Sequence, residues 1–529
     1  MAPVPEADED DEYLVSWDGK DDVANPMNWT LAYKSLVIAI VSYNTWVVYV
    51  PPFHQLYLAD ISSIYASTSF LSGMPGMKQT FHVQQDERIT LGVTVYLLGL
   101  AAGCLVLAPM SEVYGRRPIF LCSMLCFTLL TLPCALANSL KDILTVRFFA
   151  ALFGSAMLSN SPGAVNDIVH PQYRAAAYSC WSLGPLNGPA TGPIIGGFVF
   201  QYLGWRWTEW IIMIFGGVGL LLMLLVKESY QPRLLRTKAA KKRGVTSDTR
   251  WHSRYDDTTS TPWQILKTNL NRPLRLSMTE AILIFWNLYT ATVYGILYLS
   301  FVAYPIIFSD IRGWKPGPSG AAFTGVSVGT LLAIISEPLL RRMINSHKSD
   351  PSTGHVAPEA MVSVLCIAAI LTPVGQIWFA WTCAPASIHW VWPILAGIPF
   401  GIGNTWSNIY SSNYMAQCYG IYAASALATN AVARSVMGAV MPLVGKPMYA
   451  NLGPNWAGTL LGLLLVVIAP IPFVFYRYGG RIRERSILIK NMQNEVRILA
   501  GDVVGGGGGG GAVSVEEPMM QEQRPKIRQ

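Results

Sequence analysis

The sequence predicts an all-α polytopic membrane protein with twelve membrane-spanning helices in two pseudo-symmetric six-helix halves. Of its 529 residues, 52% are hydrophobic and only 13% are charged, whereas about 25% of the residues in an ordinary soluble domain are charged. The apolar residues are gathered in repeated runs of roughly 20, the length that crosses a bilayer as a helix. One long polar segment divides these runs into two groups, which predicts the two halves.

The charge and cysteine patterns exclude several other classes of protein. The net charge is +7, but the lysines and arginines fall between the apolar runs, as the positive-inside rule requires, so we expect no nucleic-acid partner. None of the eight cysteines has a CxxC partner, and we interpret them as packing residues. Because no nucleophile and base pair or metal cluster has a recognisable spacing, we expect neither an enzyme nor a metal or cofactor.

The first half is predicted at residues 31–227, after an acidic, loosely ordered cytoplasmic tail at residues 1–30. Its first span begins near Ser35, but Pro51, Pro52 and the polar residues that follow interrupt it. The other five spans of this half are predicted at about 90–110, 119–137, 142–161, 174–201 and 209–227.

The second half is predicted at residues 276–478, after a basic cytoplasmic loop at residues 228–275. A polar, glycine-rich cytoplasmic tail occupies residues 479–529. The spans of this half are predicted at about 276–307, 317–340, 360–381, 388–413, 422–445 and 456–477.

The basic residues also predict the orientation of the chain. Connections that carry arginine, such as those at Arg116, Arg174 and Arg341, alternate with connections that are poor in charge. We therefore expect both termini in the cytoplasm and a multi-pass protein that contacts the lipid bilayer along all its spans.

A charged turn at residues 108–118 separates the second and third spans. Gly115 permits backbone conformations that other residues avoid, and Pro118 suits the start of the next helix. Glu112 stands four residues before Arg116, so one helical turn would pair them. Glycine and proline alone would make a structural turn. The additional charges of Glu112, Arg116 and Arg117 beside two spans therefore indicate a further role.

The same charge pattern recurs in the second half, which indicates a duplicated chain. Residues 112–117 and residues 337–342 both have the form Glu-x-x-x-Arg-Arg, and each follows the second span of its half. Duplicated halves that face a site at the membrane midplane are the usual construction of alternating-access carriers.

Ionisable residues inside spans need a reason, because each costs about 2.5 to 3.5 kcal/mol at a helix centre. Glu209 and Glu337 lie close to predicted membrane edges, so an interfacial and a functional position are both open. Glu280 is a proton-coupling candidate if it faces a central cavity and a surface charge if it faces water. For Arg147 and Arg434 we favour function over simple carbonyl pairing.

The fifth span carries glycine and proline at a regular spacing of four. Such a face lets a neighbouring backbone approach closely, and the prolines bend the helix, so we interpret it as a curved pivot between the halves. The positions are Gly184, Pro185, Gly188, Pro189, Gly192, Pro193, Gly196 and Gly197.

From about Val15 to Arg485 the chain resembles the fungal twelve-span drug:proton antiporters of the major facilitator superfamily. Trp17-Asp18-Gly19 with Asn25-Pro26-Met27-Asn28-Trp29 resembles their cytoplasmic signature. The stretch 109–118 is similar to their loop between spans two and three, and 188–197 to their antiporter motif.

The resemblance implies roles for individual residues. Glu112, Gly115, Arg116 and Arg117 would form a conformational latch with Asp167, and Arg147 would match the arginine implicated in proton transfer. Ala108, Glu112 and Ala151 depart from the usual superfamily pattern, in which glycine, aspartate and glycine stand at these positions.

The sharpest departure from the family is an extra segment, Tyr49–Ser62, because joining Val48 to Ser63 restores an uninterrupted first span. We hypothesise that the segment is a translated intron or a gene-model error. Sequencing the transcript tests this hypothesis, and a mature message that encodes Pro51 and Pro52 would reject it.

These observations predict a monomeric plasma-membrane exporter of amphipathic organic compounds, driven by the proton gradient and working by rocking of its two halves. Its partners are a small organic substrate and protons. The proton-coupling candidates are Arg147, Glu280 and Glu209. The substrate-cavity candidates, any of which could instead form a packing hydrogen bond, are Asn287, Tyr294, Tyr298, Asn404, Asn408 and Asn413.

Two alternatives remain open from the sequence. A carrier of polyamines or other cationic metabolites would need cavity carboxylates, for which Glu209 and Glu280 are the candidates. A non-transporting membrane sensor would be expected to carry a large folded soluble domain, and the sequence has no segment that predicts one.

Overall fold

The computed structural model describes residues 13–19, 22–45, 86–170, 173–253, 255–256, 275–347, 356–420, 423–486 and 488–490, together with residues 77, 80 and 273. The proposed insertion Tyr49–Ser62 and the glycine run of the C-terminal tail lie outside the described residues.

A helix stands at the position of every span predicted in the first half. Helix α1 covers only the part of the first span that the structure describes. The helices are α1 (Leu31–Thr45), α2 (Asp86–Tyr114), α3 (Arg116–Leu136), α4 (Leu140–Ile168), α5 (Arg174–Leu203) and α6 (Trp205–Met223).

The central loop contains a helix of its own, α7 (Gln231–Thr246). Two short strands, β1 (Leu14–Val15) and β2 (His252–Ser253), pair in parallel and join the N-terminal segment to this loop. The prediction of a loosely ordered tail is therefore wrong around Leu14, because the partner strand comes from residues far away in sequence.

The second half is also helical at each predicted span. A π-helical turn, Ile306–Ile311, follows α8, and Gly453 (φ 74°) divides the long helix α14 into two. The helices are α8 (Ala281–Pro305), α9 (Pro316–Ala321), α10 (Thr324–Ile335), α11 (Glu337–Asn345), α12 (Glu359–Thr382), α13 (Val391–Tyr419), α14 (Ala423–Ile468) and α15 (Pro470–Arg485).

Among the described residues, eight helical runs are long and apolar enough to cross a membrane. Their outward faces are apolar, as the exposed leucines 125, 129, 132 and 136 of α3 show. A stripe of large apolar side chains at helical spacing would be costly in water and is the surface that a lipid bilayer covers.

Close backbone contacts join the two halves. A Cβ atom on Gly197 of α5 would lie 2.5 Å from the carbonyl oxygen of Pro316, and one on Gly320 would overlap the carbonyl of Pro193. On another pair of helices, Thr94 Oγ1 of α2 donates to the carbonyl of Ala439 in α14, at 2.7 Å. Small residues thus allow helices from different halves to touch.

Candidate functional site

The charged turn is a break between two helices. Gly115 has φ 91°, ends α2 and begins α3. An added Cβ atom there would overlap the side chains of Glu228 and Arg233. Glycine is therefore needed at this position both for its backbone conformation and for space.

Arg116 is the centre of the hydrogen bonds around this break. Its Nη1 donates to Ser111 Oγ at 2.6 Å, and its Nε donates to Asp167 Oδ2 at 3.4 Å. Its backbone N–H donates to Glu228 Oε1 at 2.9 Å. The side chains of α2, α4 and the start of the central loop are thus held together by one residue of α3.

The central loop supplies further members of this site, which the sequence analysis missed. The Arg116 guanidinium lies 5.1 Å from the ring centroid of Tyr230, and Arg233 donates to Glu228 and to the carbonyl of Tyr114. Burial, with the nearby Glu112 carboxylate, raises the pKa of Tyr230 to about 12, so its hydroxyl stays neutral at physiological pH. The charged residues at 228–236 predict a loop, but they do not predict that this loop contacts the turn at Gly115.

Two predicted members of the latch are placed differently from Arg116. Glu112 is exposed and belongs to α2, whereas Arg116 begins α3 after the Gly115 break, so the two residues do not share one continuous helical turn. Arg117 Nη2 donates to the carbonyl of Leu224, at 3.2 Å, and so ties α3 to the end of α6.

The second copy of the charge pattern is a local ion pair. Glu337 Oε1 accepts from Arg341 Nη2 at 2.7 Å and from its Nε at 3.0 Å, within the continuous helix α11. The side chains are 19% and 37% exposed. Among the described residues, the hydrogen bonds recorded for Glu337 and Arg341 stay within α11, and no helix break separates the two residues.

Arg147 and Glu209 form a buried ion pair between α4 and α6. Both residues are 2% exposed, and Nη1 of Arg147 lies 3.0 Å from Oε1 of Glu209. The guanidinium also lies 5.1 Å from the ring centroid of Tyr96. Of the two positions that the sequence left open for Glu209, the structure shows a carboxylate buried inside the bundle against Arg147.

Glu280, the other predicted carboxyl candidate, stands at the N-terminal end of α8. Its Oε2 accepts from the hydroxyl of Tyr419, the last residue of α13, at 3.1 Å. The structure therefore places this carboxyl where two helix ends meet, and not at the middle of a span.

The glycine and proline positions of α5 are buried except for Pro185, which is half-buried. The helix is continuous through its three prolines and meets α9 at Pro193 and Gly197. Its role as a pivot stays a prediction. The buried positions of the antiporter motif are Gly188, Pro189, Gly192, Pro193, Gly196 and Gly197.

The predicted cavity residues separate into two sets. Asn287 donates from Nδ2 to Thr429 and accepts from Asn430, both at 3.1 Å, so its amide joins α8 to α14 as a packing contact. Asn413 is half-buried near the end of α13. The other four lie closer to the middle of their helices, and they are Tyr294, Tyr298, Asn404 and Asn408.

This second set surrounds a charge. The guanidinium of Arg434 donates to Oδ1 of Asn408 and lies 5.3 Å from the ring centroid of Tyr294. The hydroxyl of Tyr294 donates to that of Tyr298 at 3.3 Å, and Asn408 Nδ2 donates to the carbonyl of Asn404 at 3.0 Å. The arrangement provides amide, phenol and guanidinium groups for binding.

The comparison with protein families decides the identity of the fold. The model of the major facilitator superfamily matches residues 56–442. The chain belongs to the major facilitator superfamily. The resemblance found in the motifs is thereby confirmed, and the protein is a multi-pass membrane transporter and not an enzyme.

Individual relatives of this superfamily member agree. The citrinin biosynthesis cluster MFS transporter of Monascus ruber is 39% identical, over 90% of this chain and 92% of its own. The MFS-type efflux pump MFS2 of Trichophyton rubrum is 38% identical, over 90% and 77%. The proton:xylose symporter XylE shares the fold, with a TM-score of 0.57 and 15% identity over 85% of this chain and 96% of its own.

Proposed function

We propose that this transporter exports amphipathic organic compounds, either drugs or a fungal secondary metabolite, in exchange for protons. The similarity to a biosynthesis-cluster transporter and to an efflux pump supports the direction and the class of cargo. We place the protein in the plasma membrane as a monomer. The charge pattern predicts that both termini lie in the cytoplasm.

The buried pair of Arg147 and Glu209 is the observation that carries proton coupling. A carboxylate that takes up a proton becomes neutral, which leaves the arginine without its counter-charge inside the bundle. Breaking a buried pair in this way costs about 3 to 5 kcal/mol, so protonation favours a different arrangement of α4 and α6. Glu209 is thus the proposed proton carrier, and Arg147 is the group that senses its charge.

The energy available is sufficient for this exchange. One proton that moves down about 100 mV and one pH unit releases roughly 2.3 plus 1.36 kcal/mol. A hundredfold concentration gradient of a neutral compound costs about 2.7 kcal/mol. One proton per substrate molecule would therefore drive a hundredfold gradient.

The latch around Arg116 is proposed to control the movement of the halves. Its contacts hold α2, α3, α4 and the start of the central loop in one arrangement, and their release would let these helix ends move together. The close contacts of α5 with α9 would serve as the pivot.

Cell accumulation of a panel of compounds, with and without a protonophore, tests export. Cells that overexpress the protein should accumulate less of at least one compound than cells that lack it, and the protonophore should abolish the difference. Unchanged accumulation across a wide panel would reject efflux.

Proteoliposomes test the coupling residue. A pH gradient should drive wild-type transport, while Glu209→Asp should weaken that drive more than it weakens exchange of labelled for unlabelled substrate. Glu280→Gln is the matched control and should retain the response to pH. The opposite result would assign coupling to Glu280.

A further inference from the structure

Arg434 points into the bundle from the first helical part of α14. Three valines of the same helix, Val436, Val440 and Val444, are 43%, 48% and 49% exposed and form its lipid-facing stripe. At 3.6 residues per turn, a residue two positions before Val436 lies on the opposite face. Gly438, one turn after Arg434, accordingly packs against Tyr294 and Leu97.

Among the residues that the structure describes, the recorded neighbours of this guanidinium come from both halves and carry no negative charge. Tyr294 and Asn408 belong to the second half, and the thiol of Cys104 in α2 lies within electrostatic range. A phenol, an amide and a thiol are all neutral at physiological pH, so none of these three groups is a counter-ion for the arginine.

Arg434 has a positive charge and a hydrogen-bond donor that these neighbours do not satisfy. Within the part of the chain that the structure describes, the recorded ion pairs do not include Arg434, and its enclosed Nε has no hydrogen-bond partner. The side chain is nevertheless partly exposed. Arginine stays protonated, and a guanidinium without a counter-charge inside a membrane-spanning bundle is costly, so a ligand anion would stabilise it.

We propose that Arg434 binds the acid group of an organic anion, such as an aromatic carboxylate, as the transported substrate. A carboxylate accepts two parallel hydrogen bonds from a guanidinium. The rings of Tyr294 and Tyr298, with centroids 4.8 Å apart, provide an aromatic surface beside it. This inference rests on the proposed export function and adds its substrate class.

The same charge disfavours cationic cargo. A polyamine would meet a like charge at Arg434, while Glu209 is already neutralised by Arg147. The geometry therefore supports an anion carrier over the polyamine alternative.

Binding of matched acid and amide pairs to the purified full-length protein tests the inference. The probes are 1-naphthoate with 1-naphthamide, salicylate with salicylamide, and anthracene-9-carboxylate with its amide. Wild-type protein should bind at least one acid about tenfold more tightly than its amide, the ratio that 1.4 kcal/mol gives. Arg434→Gln should remove this preference and leave amide affinity within about twofold.

Two further variants keep the test decisive. Arg434→Lys retains the charge without the planar fork and should keep part of the preference. Arg206→Gln removes an arginine that contacts Trp205 and the carbonyl of Ala137, and it should keep the whole preference.

The outcomes separate this inference from the proposed function. Equal loss of acid and amide binding in Arg434→Gln would show a packing role and overturn the inference. So would wild-type protein that prefers no acid over its amide while it still exports other compounds in cells. Absence of all export would instead reject the proposed function.

Discussion

Each half of the bundle has an arginine that points inwards, and the two arginines have different partners. Arg147 in the first half and Arg434 in the second each lie beside a tyrosine ring, at 5.1 Å and 5.3 Å. Arg147 has a carboxylate at 3.0 Å, whereas Arg434 has the neutral amide of Asn408. A guanidinium that is paired with a carboxylate can respond to protonation of that carboxylate. A guanidinium without such a partner can receive an anionic ligand.

The two copies of the Glu-x-x-x-Arg-Arg pattern also have different partners in the two halves. The first copy breaks the helix at Gly115, which directs Arg116 towards Asp167 and the central loop. The second stays within one helix, where Arg341 pairs with Glu337. Equal sequence patterns thus have unequal contacts, because only one copy contains a glycine at the break.

The largest expected effect is that of Glu209→Gln in the first half. It leaves Arg147 without its counter-charge and should lower the free energy of unfolding by about 3 to 5 kcal/mol. Equilibrium unfolding in mixed micelles measures the change.

Two variants control for this effect. Asn408→Leu, the matched change in the second half, removes one hydrogen bond to a charged group and should cost about 1.5 to 3 kcal/mol. The double variant with methionine at positions 147 and 209 should recover much of the loss. A larger loss for Asn408→Leu than for Glu209→Gln would contradict the comparison of the two arginines.

Arg116→Gln should have the next largest effect. It removes a charge-assisted hydrogen bond to Ser111, worth about 1.5 to 3 kcal/mol, and a long one, at 3.4 Å, to the partly exposed Asp167. Transport per molecule of surface protein should fall about tenfold or more, because 1.4 kcal/mol corresponds to a factor of ten. Transport equal to that of Arg341→Gln would argue against a specialised first latch.

Gly115→Ala should have the third largest effect. A non-glycine residue at φ 91° costs about 1 to 3 kcal/mol, and the added Cβ atom must also displace Glu228 and Arg233. Leu340→Met, a volume-conserving change at the corresponding place in the second copy, should cost less than about 1.5 kcal/mol. Equal losses of transport, corrected for surface expression, would reject the difference between the copies.

The smallest effect is expected for Arg341→Gln. A partly exposed pair four residues apart on a helix contributes about 0.3 to 0.5 kcal/mol. Unfolding and transport should both stay close to wild type, and 1 M salt should reduce even this difference because it screens exposed charges. A several-fold loss of transport would indicate that the second copy also takes part in the latch.

Several features of the site were predictable from the sequence and others were not. The partnership of Arg116 with Asp167 was implied by family resemblance, and the structure brings the two within 3.4 Å. The contact of Arg116 with Glu228 was not foreseen, since 112 positions separate them in the chain. Likewise, the partner of Asn287 lies 142 residues away.

The sequence by itself determined where the spans form helices, where the turn at Gly115 falls and which family the chain belongs to. These follow from local properties: runs of apolar residues, glycine and proline positions and short motifs. Only the tertiary structure decided that Glu209 is neutralised by Arg147 and that Arg434 lacks a carboxylate among its described neighbours. Charge compensation depends on which helices pack together, and an apolar pattern of the same period permits many packings.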